Sequence, residues 1–233
     1  MLRVGPFLAT FDPHDDGRYL NYAIPDDDAR PTAGDVADLA AAYEERGRIP
    51  RLEYLTTAAP LVEAALADGG FVAEAHLSLM TCTPGRAAER RLPWARVSRA
   101  EDDAELEEMV AVQHTAFGDV PPDASTLARA RAWVEAGAIA VVARDRATRA
   151  VIGGGVATPP CEDASELTGI AVRESFRRRG VAGAVTARLA REAFAAGAGT
   201  AFLTPGGDGA QRVYARAGFA DASVMLHISR LDG

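Results

Sequence analysis

Arg177-Arg178-Arg179-Gly180-Val181-Ala182-Gly183 is the stretch from which the fold of this chain is read. Downstream of it Val181, Val185, Leu189 and Ala193 recur at every fourth position, with Ala184 and Phe194 beside them. Arg188, Arg191 and Glu192 take the other side, so the stretch opens an amphipathic helix with one buried and one wet face. A helix N-terminus carries partial positive charge and unpaired N–H groups, and cations placed there cost stability. The same arrangement becomes favourable once a phosphate or pyrophosphate docks on those N–H groups. Gly180 and Gly183 let the backbone come close to such a ligand. Residues Arg177 to Ala184 therefore read as a cradle for a phosphorylated ligand.

Working outward from the cradle, Glu166 to Val172 reads as the strand that feeds it, and Gly197 and Gly199 stop the helix that leaves it. Thr200 to Leu203 is the next strand, broken by Pro205-Gly206-Gly207. A short helix with Ala210, Val213, Tyr214 and Ala217 on one face ends at Gly218-Phe219, and Ala220 to Arg230 returns as a long strand. Upstream, Arg96 to Arg99 reads as a strand, Asp102-Asp103 caps a helix through Phe117, and a second helix covers Ser125 to Glu135. Ile139 to Arg144 and Ala150 to Ala157 form a hairpin around Asp145 to Thr148. Gly153-Gly154-Gly155 within it reads as a bulge or a close backbone approach rather than a second phosphate site. Strands and helices in this rhythm predict an α/β domain with a mixed sheet.

The first third of the chain echoes the last. Leu20 to Ile24 reads as a strand, Val36 to Glu45 as a helix and Arg51 to Leu55 as a strand, followed by a short helix, Gly70-Phe71 and a strand through Met80. An internal repeat is expected. Where the second copy has its cradle, the first has Pro25-Asp26-Asp27-Asp28 and Pro31. Three aspartates repel phosphate and Pro31 removes a backbone donor, so the first copy is expected to hold no phosphorylated ligand. Thr83 to Pro93 is polar, bracketed by prolines and without apolar period, as linkers are. The expected division is residues 1–83, a linker at 84–93, and residues 94–233.

Arg177-x-x-Gly180-x-Ala182, between a strand and an amphipathic helix, resembles the acyl-CoA-binding motif of the GNAT superfamily of N-acyltransferases. Ala210-x-x-x-Tyr214-x-x-x-Gly218-Phe219 resembles the last helix and strand of the same superfamily, and the two together cover about residues 96 to 230. Residues 1 to 82 resemble a degenerate, partial copy, so the chain is similar to tandem-GNAT proteins. A departure is Gly206-Gly207-Asp208-Gly209, where many relatives carry an asparagine. The resemblance implies acetyl-CoA as co-substrate. Its pyrophosphate would lie on backbone N–H groups from Arg178 to Ala184, with the side chains of Arg177, Arg178 and Arg179 adding charge-assisted contacts. It implies further that Ile170, Ala171 and Val172 supply the backbone donor that polarises the thioester carbonyl. Acetyl transfer to an amine needs a base, and Glu166 stands where some members place one; Tyr214 stands where the superfamily commonly has its general acid. Glu162, Asp163 and His114 are the next candidates for the base.

Each assignment has a plainer counterpart: Glu166 as a strand-edge carboxylate or an arginine's partner, Tyr214 as packing, the arginines as a solvated turn. Cys161 has no sequence-linked histidine and is not expected to be a nucleophile. Two cysteines, Cys82 and Cys161, make no C-x-x-C, and His14, His76, His114 and His227 do not cluster, so no metal is expected. Among 233 residues the basic ones are all arginine, and the net charge of −8 argues against non-specific nucleic-acid binding. With neither a signal peptide nor an uncharged membrane-length run, a cytoplasmic chain off the membrane is expected, as a monomer or homodimer. The expected activity is acetyl transfer to a primary amine in a ternary complex, with a small-molecule or peptide acceptor. A catalytically silent acyl-CoA sensor and an interaction module are the alternatives.

Overall fold

The computed structural model describes residues 1–13 and 16–231; His14 lies outside the described residues. The chain divides into two compact units, one of Met1–Leu79 with Ala222–Gly233 and one of Met80–Asp221.

The first unit contains β1 (Leu2–Val4), β2 (Phe7–Ala9), β3 (Ala23–Pro25), α1 (Ala33–Glu44), β4 (Arg51–Leu55), α2 (Val62–Asp68) and the first part of β5 (Val72–Cys82). β1 and β2 are antiparallel, β2 and β3 antiparallel, and β3 and β4 parallel with Ala23 opposite Leu52. The two short strands at the start have no counterpart in the expected elements, because three residues are too few to show a period. Val36, Leu39 and Tyr43 of α1 pack with Phe7, Leu52 and Leu66 into one core. Arg51 is fully buried there. Its guanidinium donates to Glu53 and to Glu74 Oε1 at 3.1 Å and sits 3.2 Å from His227 Nδ1, so its charge is met by carboxylates.

The second unit carries β6 (Ala95–Arg99), α3 (Asp103–Phe117), α4 (Ala124–Glu135), β7 (Ile139–Asp145), β8 (Val151–Ala157), β9 (Ala164–Val172), α5 (Val181–Ala195), β10 (Thr200–Leu203) and α6 (Asp208–Ala217). β6 to β9 form an antiparallel run, and β9 pairs in parallel with β10, so the sheet is mixed as expected. Alternation along β7 feeds both faces: Val141 and Ala143 join Val185 and Leu189 of α5, whereas Ala140 and Val142 join Leu106 and Met109 of α3. Between the two helices lies the glycine triplet of β8. A Cβ on Gly154 would stand 2.5 Å from Met109 Cγ, and one on Gly155 3.0 Å from Leu189 Cδ1. The triplet is therefore a close approach of helix to sheet.

Each unit's parallel pair is completed by a strand that follows the other unit's last helix. β11 (Ala220–Ser229) pairs antiparallel with β4 through Met225 to Ser229, and Met80 to Cys82 of β5 pair antiparallel with β10. This moves residues 222–233 out of the expected second domain and residues 80–93 into it. Residues 84–93, expected as a linker, are bound into the second unit because the last turn of α6 needs donors for its carbonyls. Ala88 N–H donates to Ala217 O at 3.0 Å, and the Arg90 guanidinium donates to Arg216 O at 3.1 and 3.3 Å. A Cβ on Gly218 would collide with Arg86 O.

Candidate functional site

β9 and β10 hold together only briefly. Ala164 to Glu166 are in register with Thr200 to Phe202; β10 stops at Leu203 before Pro205, while β9 runs on to Val172. At the end of β9 the chain makes one turn of 3₁₀ helix, Glu174–Phe176, and then reverses. Arg178 has φ +60° and Gly180 φ +87°, so two left-handed residues aim the chain into α5. Gly180 caps α5 without a side chain. The first intrahelical bond is from Ala184 N–H to Gly180 O at 3.1 Å, which leaves the N–H groups of Val181, Ala182 and Gly183 without partners inside the helix.

Beside this helix start lies a cavity of about 670 Å³. Its wall includes Ile170, Ala171 and Val172 of β9, Arg177, Arg178, Gly180, Val181, Ala182 and Gly183 of the cradle, and Tyr214 of α6. The structure thus brings together nearly all the residues expected to hold a phosphorylated ligand. Two fall away. The Arg179 guanidinium lies 4.2 Å from the Trp94 ring centroid and 5.1 Å from that of Phe176, a cation–π contact that turns it from the cavity. Ala184 is buried in the core and its N–H is already bonded.

Three further arginines line the cavity: Arg90, Arg212 and Arg216. Arg212 and Arg216 share one face of α6 at i, i+4, which could have been read from the sequence. Arg90 comes from the segment expected as a linker and could not. With Arg177 and Arg178 they make five arginines around a cavity whose wall holds no aspartate or glutamate. None of the five has a carboxylate partner among the described residues. In a chain of net charge −8, whose other arginines commonly pair with carboxylates, this is a local field made for an anion. Backbone donors at a helix start and unneutralised guanidiniums fit a pyrophosphate chemically.

Tyr214 is half-buried, and burial pushes its phenol above the ordinary value, so the hydroxyl keeps its proton at neutral pH. Glu166 does not line the cavity. It is half-buried on β9 between buried Ser165 and Leu167, and its backbone is tied to Thr158: Glu166 N–H donates to Thr158 Oγ1 and Thr158 N–H to Glu166 O, both at 2.9 Å. Asp163 closes the turn before β9, accepting from Gly199 N–H at 2.8 Å, and Glu162 is exposed in the same turn. His114 Nδ1 is 2.6 Å from Val120 O. Cys82 is buried and Cys161 is exposed. Among the described residues no group of three His, Cys, Asp or Glu is placed to hold a metal, and no helix is long and apolar enough to cross a membrane.

Residues 104–219 match the model of the family described as "Acetyltransferase (GNAT) family". The second unit carries a GNAT-family acetyltransferase domain. Solved structures agree in fold. A GCN5-related N-acetyltransferase from Kribbella flavida is 21% identical with a TM-score of 0.82, covering 100% of this chain and 89% of that one. A GCN5-related N-acetyltransferase from Sphaerobacter thermophilus is 15% identical with a TM-score of 0.70, covering 97% and 77%. A tandem GNAT protein from the clavulanic acid biosynthesis pathway is 13% identical with a TM-score of 0.65, covering 91% and 76%. No curated protein matches the chain. In the GNAT domain the matched span takes in the cradle, β9, β10 and Tyr214, but not Arg90.

Proposed function

We propose that the chain transfers an acetyl group from acetyl-CoA to a primary amine, directly and within a ternary complex. The observation that carries this reading is the uncapped start of α5 facing a cavity with five arginines, no carboxylate and a protonated tyrosine. The N–H groups of Val181, Ala182 and Gly183 hold the pyrophosphate, with Arg177 and Arg178 beside them. Backbone donors of Ile170 to Val172 polarise the thioester carbonyl. Glu166 takes the amine's proton through water, since it lies off the cavity wall, and Tyr214 returns a proton to the departing thiolate. The acceptor is a small-molecule or peptide amine. The first unit is a degenerate copy of the same fold, supported by its parallel β3–α1–β4 unit, and holds no cofactor. A second reading, a silent acyl-CoA sensor, draws on the position of Glu166.

A thermal-shift titration with acetyl-CoA tests the site, because a ligand of the folded state raises the melting temperature by mass action. Thiol release is then measured over a panel of amines for the wild type, Glu166→Gln and Tyr214→Phe. Stabilisation with turnover that falls about 10² to 10⁴-fold in the variants is expected. Stabilisation with no turnover on any amine would favour the sensor, and no stabilisation at millimolar acetyl-CoA would end both readings.

A further inference from the structure

β8 and β9 lose register where β9 meets the cavity. Gly154 faces Ala171 and Val156 faces Thr168, so Gly169 and Ile170 together oppose the single residue Gly155. This is a β-bulge whose first residue, Gly169, has φ +61°. Bulges re-aim a strand's groups, and this one stands immediately before Ala171 and Val172, which line the cavity with Ile170. One side chain reaches it: Gln113 of α3 donates from Nε2 to Gly169 O at 2.7 Å. The contact is close enough that a Cβ on Gly169 would stand 2.5 Å from that nitrogen. The Gly169–Ile170 peptide is trans, so its N–H points opposite to its carbonyl, and a bond that holds the carbonyl also fixes the N–H.

We infer that Gln113 is a positioning residue for the acyl group: by holding Gly169 O, it sets the bulge that aims the backbone donors of Ile170 to Val172. This rests on the acetyl-CoA reading above. A donor helps only if it is oriented before the charge develops, because it then needs no reorganisation during the reaction. Gly169 alone would leave the bulge able to turn, since glycine has the widest choice of backbone angles. Gln113 removes that choice from the side of α3, where Met109 and Val112 already pack the helix against the sheet. It needs no contact with the ligand to do so.

The test uses acetyl-CoA labelled with ¹³C at the carbonyl, bound to the full chain, with the carbonyl stretch read by isotope-edited infrared spectroscopy. In the wild type the band moves to lower wavenumber than in free acetyl-CoA. In Gln113→Met, of similar shape but without the donor, most of that shift is lost and thiol release falls about tenfold, less than for loss of a donor itself. Its acetyl-CoA affinity stays within about threefold, a change below 1 kcal/mol. Gln113→Glu adds an arm that simple packing would not move. Its carboxylate faces a carbonyl oxygen at neutral pH and cannot donate, whereas the protonated acid can. As pH falls the band shift therefore recovers, and so does turnover taken relative to the wild type at the same pH. A wild-type band in Gln113→Met, or no pH recovery in Gln113→Glu, overturns the inference alone. A wild type that binds no acetyl-CoA overturns the acetyl-CoA reading and this inference with it.

Discussion

Helices α1 and α5 both cross between two parallel strands, yet their first turns are chemically opposite. At α1, Thr32 Oγ1 accepts from Asp35 N–H at 3.2 Å and the Asp35 carboxylate accepts from Thr32 N–H at 2.8 Å, a complete capping box. At α5 the corresponding positions are Gly180 and Gly183, neither of which has a side chain to give. One helix meets its own orphan N–H groups and adds a negative charge; the other leaves them open and surrounds them with arginine. The fold supplies an anion site at every such helix start, and the residues at the cap and three positions on determine whether the protein fills it itself.

Gly183→Asp breaks the difference most directly, because it puts into α5 the carboxylate that α1 has at the same position. A Cβ at Gly183 would meet Arg90 Cδ at 3.5 Å, Val213 Cγ1 at 3.7 Å and Arg90 Nε at 3.8 Å, ordinary contacts, so the fold tolerates it. Acetyl-CoA affinity should fall about 100-fold, near 2.8 kcal/mol, by calorimetric titration. The melting temperature without ligand should hold or rise by a few degrees, since an aspartate suits a helix N-terminus. Unchanged affinity would remove the α5 start from the binding site.

Half of the contrast was legible in the sequence; the Thr32–Asp35 capping box of α1 was not, because the helix was expected to begin at Val36. Pro25 to Pro31 announced an acidic, donor-poor entry to α1, and the arginine–glycine run announced the reverse at α5. The aspartate cap of α3 and the period of α5 were legible because both are local, whereas the Asp123 cap of α4, two residues before the expected start at Ser125, was not singled out. What escaped depends on contacts between distant residues. Arg90 joins the cavity only because the segment before β6 caps the end of α6, and Arg179 leaves it only because Trp94 and Phe176 offer their rings. The exchange of β5 and β11 between the units could not be seen from strand patterns, which say which residues pair but not with whom.

Arg178 and Arg179 sharpen the comparison next, since adjacent arginines have different surroundings. Arg178 lines the cavity without a carboxylate among the described residues, so Arg178→Ala should weaken acetyl-CoA binding about tenfold and make it less sensitive to salt. Arg179→Ala should cost about 0.5 to 1 kcal/mol of stability through its lost ring contacts and change affinity less. Equal losses of affinity in the two variants would show the run acting as a diffuse charge.

The smallest effect comes from the acidic side of the comparison and appears in the pH dependence of folding. The Thr32 hydroxyl, and then the Thr32 N–H, hold the Asp35 carboxyl below its ordinary value of 3.8. At the start of α4 the Thr126 N–H foremost, with the Ser125 and Thr126 hydroxyls, brings Asp123 down to about 2. A carboxyl whose folded value is depressed binds its proton more readily in the unfolded chain. For Asp123 the stabilisation is present above the unfolded value near 3.8 and is lost as pH falls through the folded value near 2, and for Asp35 it is lost likewise as pH falls below 3.8. Asp123 is exposed and Asp35 partly so, and the change is modest. Denaturant unfolding of the wild type, Asp35→Asn and Asp123→Asn between pH 5 and pH 2 should show both variants less stable at pH 5 and closer to the wild type at pH 2. Neither substitution should alter acetyl-CoA binding at neutral pH. A loss of affinity in Asp35→Asn would mean that the start of α1, despite its own carboxylate, takes part in holding the ligand.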